Sequence, residues 1–276
     1  MALYPAKQKL ATGAPVFGTM ITECLRPEMV PALAASAVDF FIVDTEHSPG
    51  DLHEIEALAR TSRQFGIAPL VRITDNEYFL IARVMDCGAA GVVAPRIHSA
   101  EAAKRVVDAV KYPPAGRRGY GMRGILTDFT SANTADAIER ENSQTIVVVQ
   151  VESAEALADL ENIVRVPGID ATMIGPFDLS ISLGVPGDFN HPKMKDAFRR
   201  VADVCLASTV APGVHLGDAA RLVEARSEGF RFLIYSSDLA LMMRSLKEGI
   251  ALLRGAAAPS QSATVAMKPV RSGGMY

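Results

Sequence analysis

Short apolar runs alternate with longer stretches of helical period along most of this chain, and that alternation limits what it can fold into. The runs are Val16–Ile21, Phe40–Asp44, Ala68–Ile73, Gly91–Ala94, Ile146–Val151, Ala171–Ile174, Thr209–Val214 and Phe230–Tyr235, each the length of a strand buried on both faces. Between them lie Glu28–Ser36, Asp51–Phe65, Glu77–Cys87, Ala100–Val110, Ala154–Val164, Lys193–Ala207 and Ala219–Ser227, with Leu239–Arg254 after the last. Most of these are rich in Ala, Leu, Glu and Arg, as helices are. Strand–helix repeats of this number and length predict an α/β fold of the (β/α)8 TIM-barrel type, one domain over residues 1–254. A doubly wound open sheet competes less well, because no GxGxxG follows the first run.

Two stretches fall outside the repeat. Lys111–Thr145, between the fourth helix and the fifth strand, is a long loop with Pro and Gly at its start and a short helix expected near Ala132–Arg140. Connections of this length are usually functional or disordered. Gly255–Tyr276 is rich in Ala, Ser, Gly and Pro, without periodicity, and reads as a flexible C-terminal extension over 255–276.

Composition removes several classes of function. A formal charge of −3 without any block of like charge argues against a nucleic-acid partner. Nowhere do apolar residues run long enough to span a membrane, and the N-terminus lacks a signal-peptide core. Cys24, Cys87 and Cys205 are odd in number and show no CxxC pair, so a reducing, cytoplasmic setting is expected, with small molecules as ligands.

In a barrel of this kind the chemistry lies at the C-terminal ends of the strands. Glu152 directly follows the fifth run, and Asp178 follows the sixth across a Gly-Pro turn. Parallel neighbouring strands would bring both carboxylates to one rim, where two such acids can anchor a hard divalent cation with oxygen ligands. An acid at that position can equally cap the next helix. After the second run comes Asp44-Thr45-Glu46-His47, where acids flank a histidine suited to proton transfer, as base or alternatively as metal ligand. Arg72 closes the third run; a charge ending a buried strand needs a partner, either an anionic ligand or a salt bridge to Asp44 or Glu46. Asp86 reads as an ordinary helix-end acid, and His215 as a residue following the seventh strand that lines the rim passively.

Together, Asp44-x-Glu46-His47, Val71-Arg72, Tyr112-Pro113-Pro114-x-Gly116-x-Arg118-Gly119, Gln150-x-Glu152 and Gly175-Pro176-x-Asp178-Leu179-Ser180 resemble the HpcH/HpaI family of metal-dependent pyruvate aldolases. The likeness runs from about Gly18 to Arg254. It implies a carbon–carbon lyase that reversibly cleaves 4-hydroxy-2-oxo acids to pyruvate and an aldehyde through a metal-bound pyruvate enolate. It implies Glu152 and Asp178 as ligands of Mg, Mn or Co, Arg72 at the enolate oxygen, and His47 as base with Asp86 as its acidic partner. Gly175, Pro176 and Asp178 would receive the pyruvate carboxylate, and Asp44 and Glu46 would surround the histidine and the metal waters. The family resemblance also implies a homo-hexamer, a trimer of dimers with the last helix exchanged. The same enolate site could instead serve oxaloacetate decarboxylation, citrate-like synthesis or cleavage of a CoA ester. Arg96 departs from the family pattern, and Tyr120 and Arg123 extend the loop beyond it; surface salt bridges or contacts with the aldehyde half are the two explanations open.

Overall fold

The computed structural model describes residues 4–121, 124–127 and 133–255. Its centre is a closed barrel of parallel strands, β1 (Val16–Ile21), β2 (Phe40–Asp44), β3 (Ala68–Arg72), β4 (Gly91–Ala94), β5 (Ile146–Val151), β6 (Ala171–Ile174), β7 (Gly213–Leu216) and β8 (Phe232–Ser237), in chain order around the ring. The helices are α1 (Pro5–Ala11), α2 (Met29–Ala35), α3 (Leu52–Phe65), α4 (Tyr78–Asp86), α5 (Ala100–Val110), α6 (Thr134–Gln144), α7 (Ala154–Ala158), α8 (Leu160–Ile163), α9 (Pro176–Ser182), α10 (Pro192–Leu206), α11 (Ala219–Ser227) and α12 (Asp238–Leu253). The (β/α)8 expectation holds. No helix among the described residues is long and apolar enough to cross a membrane.

Alternate residues on each strand face opposite sides, so the barrel sorts its side chains into two apolar sets. The inner set includes Val16, Met20, Phe40, Ile42, Leu70, Val93, Val148, Met173, Phe232 and Ile234. The outer set packs beneath the helices. Inside, the rings of Phe40 and Phe232 stack with centroids 4.3 Å apart, and a Cβ on Gly18 would lie 2.4 Å from the Phe40 ring. Only glycine leaves room for that stack.

Continuing the inward alternation by one step on each strand changes its chemistry. After Phe40 and Ile42 comes Asp44; after Ala68 and Leu70, Arg72; after Ile146 and Val148, Gln150; and after Gly213, His215. The uppermost interior tier is therefore polar while everything below it is apolar. At the opposite end α1 closes the floor, with Tyr4, Ala6 and Leu10 joining the inner cluster and Lys7 and Lys9 paired to Asp170 and Asp39.

Several expected boundaries move. The seventh strand begins at Gly213 rather than Thr209, since Pro212 cannot donate to a ladder, and it carries His215 within it. The eighth runs on to Ser237. The turn after β6 is the first turn of α9, so Asp178 sits on a helix. The stretch 154–164 divides into α7 and α8. The long connection before β5 contains α6 from Thr134, while Ala132, Arg123 and the tail beyond Gly255 lie outside the described residues.

Candidate active site

Asp44 and Arg72 end neighbouring strands in register and turn into the barrel together. Arg72 Nε donates to Asp44 Oδ1 at 2.9 Å and Nη2 to Oδ2 at 2.6 Å, a two-pronged pair in a buried setting. Asp44 also accepts the backbone N–H groups of Glu46, at 3.0 Å, and His47, at 3.3 Å, so the turn after β2 folds around this carboxylate. Burial works to raise the Asp44 pKa, but the hydrogen bonds and charge of Arg72 and the two backbone donors together hold it below its ordinary value. Burial likewise opposes the charge on Arg72, and Asp44, with Glu46 and Glu152 behind it, more than restores it. The salt-bridge explanation of Arg72 is thus realised, with Nη1, 3.4 Å from Glu46, the one prong that Asp44 does not hold.

The side chain of the half-buried Glu46 lies between two guanidinium groups, 3.4 Å from Arg72 Nη1 and 3.3 Å from Arg96 Nη1. The His47 ring stands at the mouth, 65% exposed, with Nε2 3.8 Å from Glu46 Oε2. On the far side of the rim Val151 and Ile174 pair across β5 and β6, so Glu152 and Gly175 start side by side. Glu152 is buried; Oε1 accepts the Arg96 backbone N–H at 2.6 Å, and Oε2 accepts the side-chain amide of Gln150. Ser153, not Glu152, caps α7 by accepting from the Ala156 N–H. A Cβ at Gly175 would sit 2.7 Å from Gln150 Nε2 and 3.0 Å from Glu152 Oε2, so glycine is needed for Glu152 to stay where it is.

Burial raises the Glu152 pKa, and the nearby charges of Asp178 and Glu46 push it further up against the Arg96 N–H and Arg72. Carboxylates brought together this way gain from a divalent cation, and their oxygen donors suit a hard one. No group of three or more His, Cys, Asp or Glu side chains among the described residues could hold a metal ion. Glu152 and Asp178 are the two carboxylates that follow the adjacent strands β5 and β6.

Not every expected residue arrives. Asp86 ends α4 close to the start of β4, at the end of the barrel away from the rim; just beyond it, Ala90 N–H bonds the carbonyl of Pro69 at the start of β3. There Asp86 pairs with the buried Arg118, which lies over the Tyr112 ring, and not with His47 of its own chain. Tyr120 belongs to the same far face, tilted against Tyr112. Pro176 has no N–H to offer a carboxylate, and the Gly175 N–H is directed at the Val151 carbonyl at 3.3 Å. Of that turn Phe177 and Asp178 keep N–H groups in the first, unpaired turn of α9.

His215, expected after the seventh strand as a passive lining of the rim, lies within β7 and turns into the barrel. His215 Nε2 lies 3.0 Å from the Ser236 carbonyl; as a carbonyl only accepts, the proton is on Nε2. Burial, with the charge of Arg72 behind it, lowers its pKa against the Ser236 carbonyl and Asp44. Misplacing the seventh strand hid it, although the period Ala211, Gly213, His215 would have turned it inward.

The HpcH/HpaI aldolase/citrate lyase family model matches residues 20–245. The chain belongs to that family. The hydroxypyruvate/pyruvate aldolase of Paraburkholderia phytofirmans is 32% identical over 255 residues, covering 91% of this chain and 97% of the relative. The 2-dehydro-3,6-dideoxy-6-sulfogluconate aldolase of Pseudomonas putida is 32% identical over 84% of this chain and 91% of its own length. Among solved structures, the HpcH/HpaI aldolase from Desulfitobacterium hafniense DCB-2 superposes with a TM-score of 0.87 at 33% identity, covering 91% of this chain and 97% of that one. As an HpcH/HpaI member the chain matches such relatives along almost their whole length.

Proposed function

We propose that this HpcH/HpaI protein is a divalent-cation-dependent pyruvate aldolase that reversibly cleaves 4-hydroxy-2-oxo acids to pyruvate and an aldehyde. The observation that carries the reading is one rim bearing Glu152 after β5 and Asp178 in the first turn of α9 after β6, with Arg72 at the end of β3 and His47 in the turn after β2. Magnesium, manganese or cobalt on those two carboxylates would act as a Lewis acid toward the oxygens of the 2-oxo acid.

The chain's own residues account for the remaining work. The substrate carboxylate lies against the Asp178 N–H at the start of α9. Arg72 meets the 2-keto oxygen and stabilises the negative charge that develops on it. His47 takes the proton of the C4 hydroxyl as the C3–C4 bond breaks; the electron pair moves toward C2 and its oxygen, and the aldehyde departs. C3 then accepts a proton to become the methyl group of pyruvate. Asp44 keeps Arg72 aimed, and Glu46 keeps the base side of the rim in register.

Asp86 can assist His47 only from a second copy, because within one chain the two stand at opposite ends of the barrel. A homo-oligomer, a hexamer built as a trimer of dimers, supplies that copy. In support, α12 buries none of its residues and exposes Met242, Leu246 and Ile250 in a stripe. Cys24, Cys87 and Cys205 form no disulfide with one another, which suits a reducing, cytoplasmic setting.

The test is exchange of the pyruvate C3 protons in D2O, followed by NMR with each divalent ion in turn. Exchange is expected with at least one ion and lost with EDTA and in Glu152→Ala. An exchange rate that ignores EDTA removes the cation from the reading, and no exchange with any ion removes the aldolase.

A further inference from the structure

Two rim residues hold a left-handed backbone that side chains disfavour, Arg96 at φ +54° and Ser236 at φ +56°. At Arg96 the conformation has a visible product: it turns the backbone N–H onto Glu152 Oε1 at 2.6 Å. Strain of this kind persists only where the surrounding structure overrides it, and it gathers at functional sites. The Arg96 side chain reaches the other way. Its Nη1 is 3.3 Å from Glu46 Oε1, and Nη2 bonds the Thr74 carbonyl at 2.5 Å with Asp75 at 3.4 Å. One residue thus touches the carboxylate on the cation side and the carboxylate next to His47.

We propose that Arg96 is a positioning residue that sets the two halves of the centre against each other. Its left-handed backbone aims Glu152 at the cation, and its guanidinium, with that of Arg72, fixes Glu46 beside His47. The inference rests on the cation anchor proposed above. A surface salt bridge accounts for Thr74 and Asp75 alone; it supplies no reason for the strained backbone or for its hydrogen bond to a buried carboxylate.

Two substitutions separate the backbone from the side chain. Arg96→Gly deletes the guanidinium and adopts the left-handed conformation freely, whereas Arg96→Val deletes the guanidinium and resists it. Mn2+ affinity, read by electron paramagnetic resonance without substrate, is expected to stay within about twofold of wild type in Arg96→Gly. In Arg96→Val it should weaken by about tenfold or more. Equal affinity in the two variants overturns the backbone half. In Arg96→Gly the pyruvate exchange rate is expected to fall by about tenfold with Mn2+ affinity kept, and an unchanged rate overturns the side-chain half.

Should Arg96→Val not fold, the wild-type chain decides by itself. Without metal, the Arg96 amide is expected to exchange with solvent more slowly than in Glu152→Ala, and equal rates overturn the contact. A wild-type chain that binds no Mn2+ while its Arg96 amide stays protected overturns the cation anchor but leaves the contact standing; the metal half of the proposal then falls with the anchor.

Discussion

Asp44 and Arg72 are each tolerable in the barrel only because of the other. Arg72→Ala strands a carboxylate that is 2% exposed, and the expected cost is about 3 kcal/mol or more in urea unfolding, besides lost turnover. Arg72→Lys keeps the charge but cannot reproduce the two-pronged bond, so stability should recover further than activity does. Gly175 is constrained by space. Gly175→Ala places a methyl group 2.7 Å from the Gln150 amide and 3.0 Å from Glu152, and Mn2+ should bind about tenfold more weakly when titrated. A fold that keeps its stability and loses its cation would set this apart from a packing defect.

Asp238 shows what a single acid does for an element. It starts α12 and accepts the backbone N–H groups of Thr22, Glu23, Cys24 and Leu239, tying the loop after β1 to the last helix. Partial burial opposes its charge, but these donors prevail and keep its pKa below the ordinary 3.8. A carboxyl depressed in the folded state adds stability above its unfolded pKa and gives it up as pH falls through the folded value. Wild type should therefore lose more unfolding free energy than Asp238→Asn between pH about 5 and 3, measured in urea.

Elements written in apolar residues were readable. β1, β2, β4, β5 and β6 stand where their hydrophobic runs put them. β8 was harder because its end runs through Ser236 and Ser237, and Ser237 joins the sheet by pairing with Met20 of β1 across a register shift, not by hydrophobicity. α1 escaped notice, since Ala6 and Leu10 alone give too short a period and its reason for existing is the barrel floor beneath it. At the site, the strand-end acids, His47 and Arg72 could be read from position. Glu46 between two arginines, the backbone of Arg96 and the interior place of His215 could not, because each depends on which strand ends meet across the ring.

At the scale of the molecule, α12 and Asp86 lead to separate measurements. Leu246 is 58% exposed in the α12 stripe, and Leu246→Glu should give a smaller species by sedimentation velocity while the barrel stays folded. If Asp86 serves the histidine of another copy, mixing refolded His47→Ala and Asp86→Ala chains should restore part of the turnover that neither has alone. The N-terminal helix gives a stability prediction: Leu10, 4% exposed against the barrel floor, should cost about 2 to 4 kcal/mol as Leu10→Ala.

That stoppered floor also dictates an itinerary. Among the described residues Phe40, Phe232 and α1 fill the barrel below the polar tier, so traffic passes the mouth where His47 stands. The fragment formed beside His47 must walk out before the one lodged beneath it, so the aldehyde leaves first and pyruvate last. Steady-state inhibition should then show pyruvate competing with the parent acid and the aldehyde not competing.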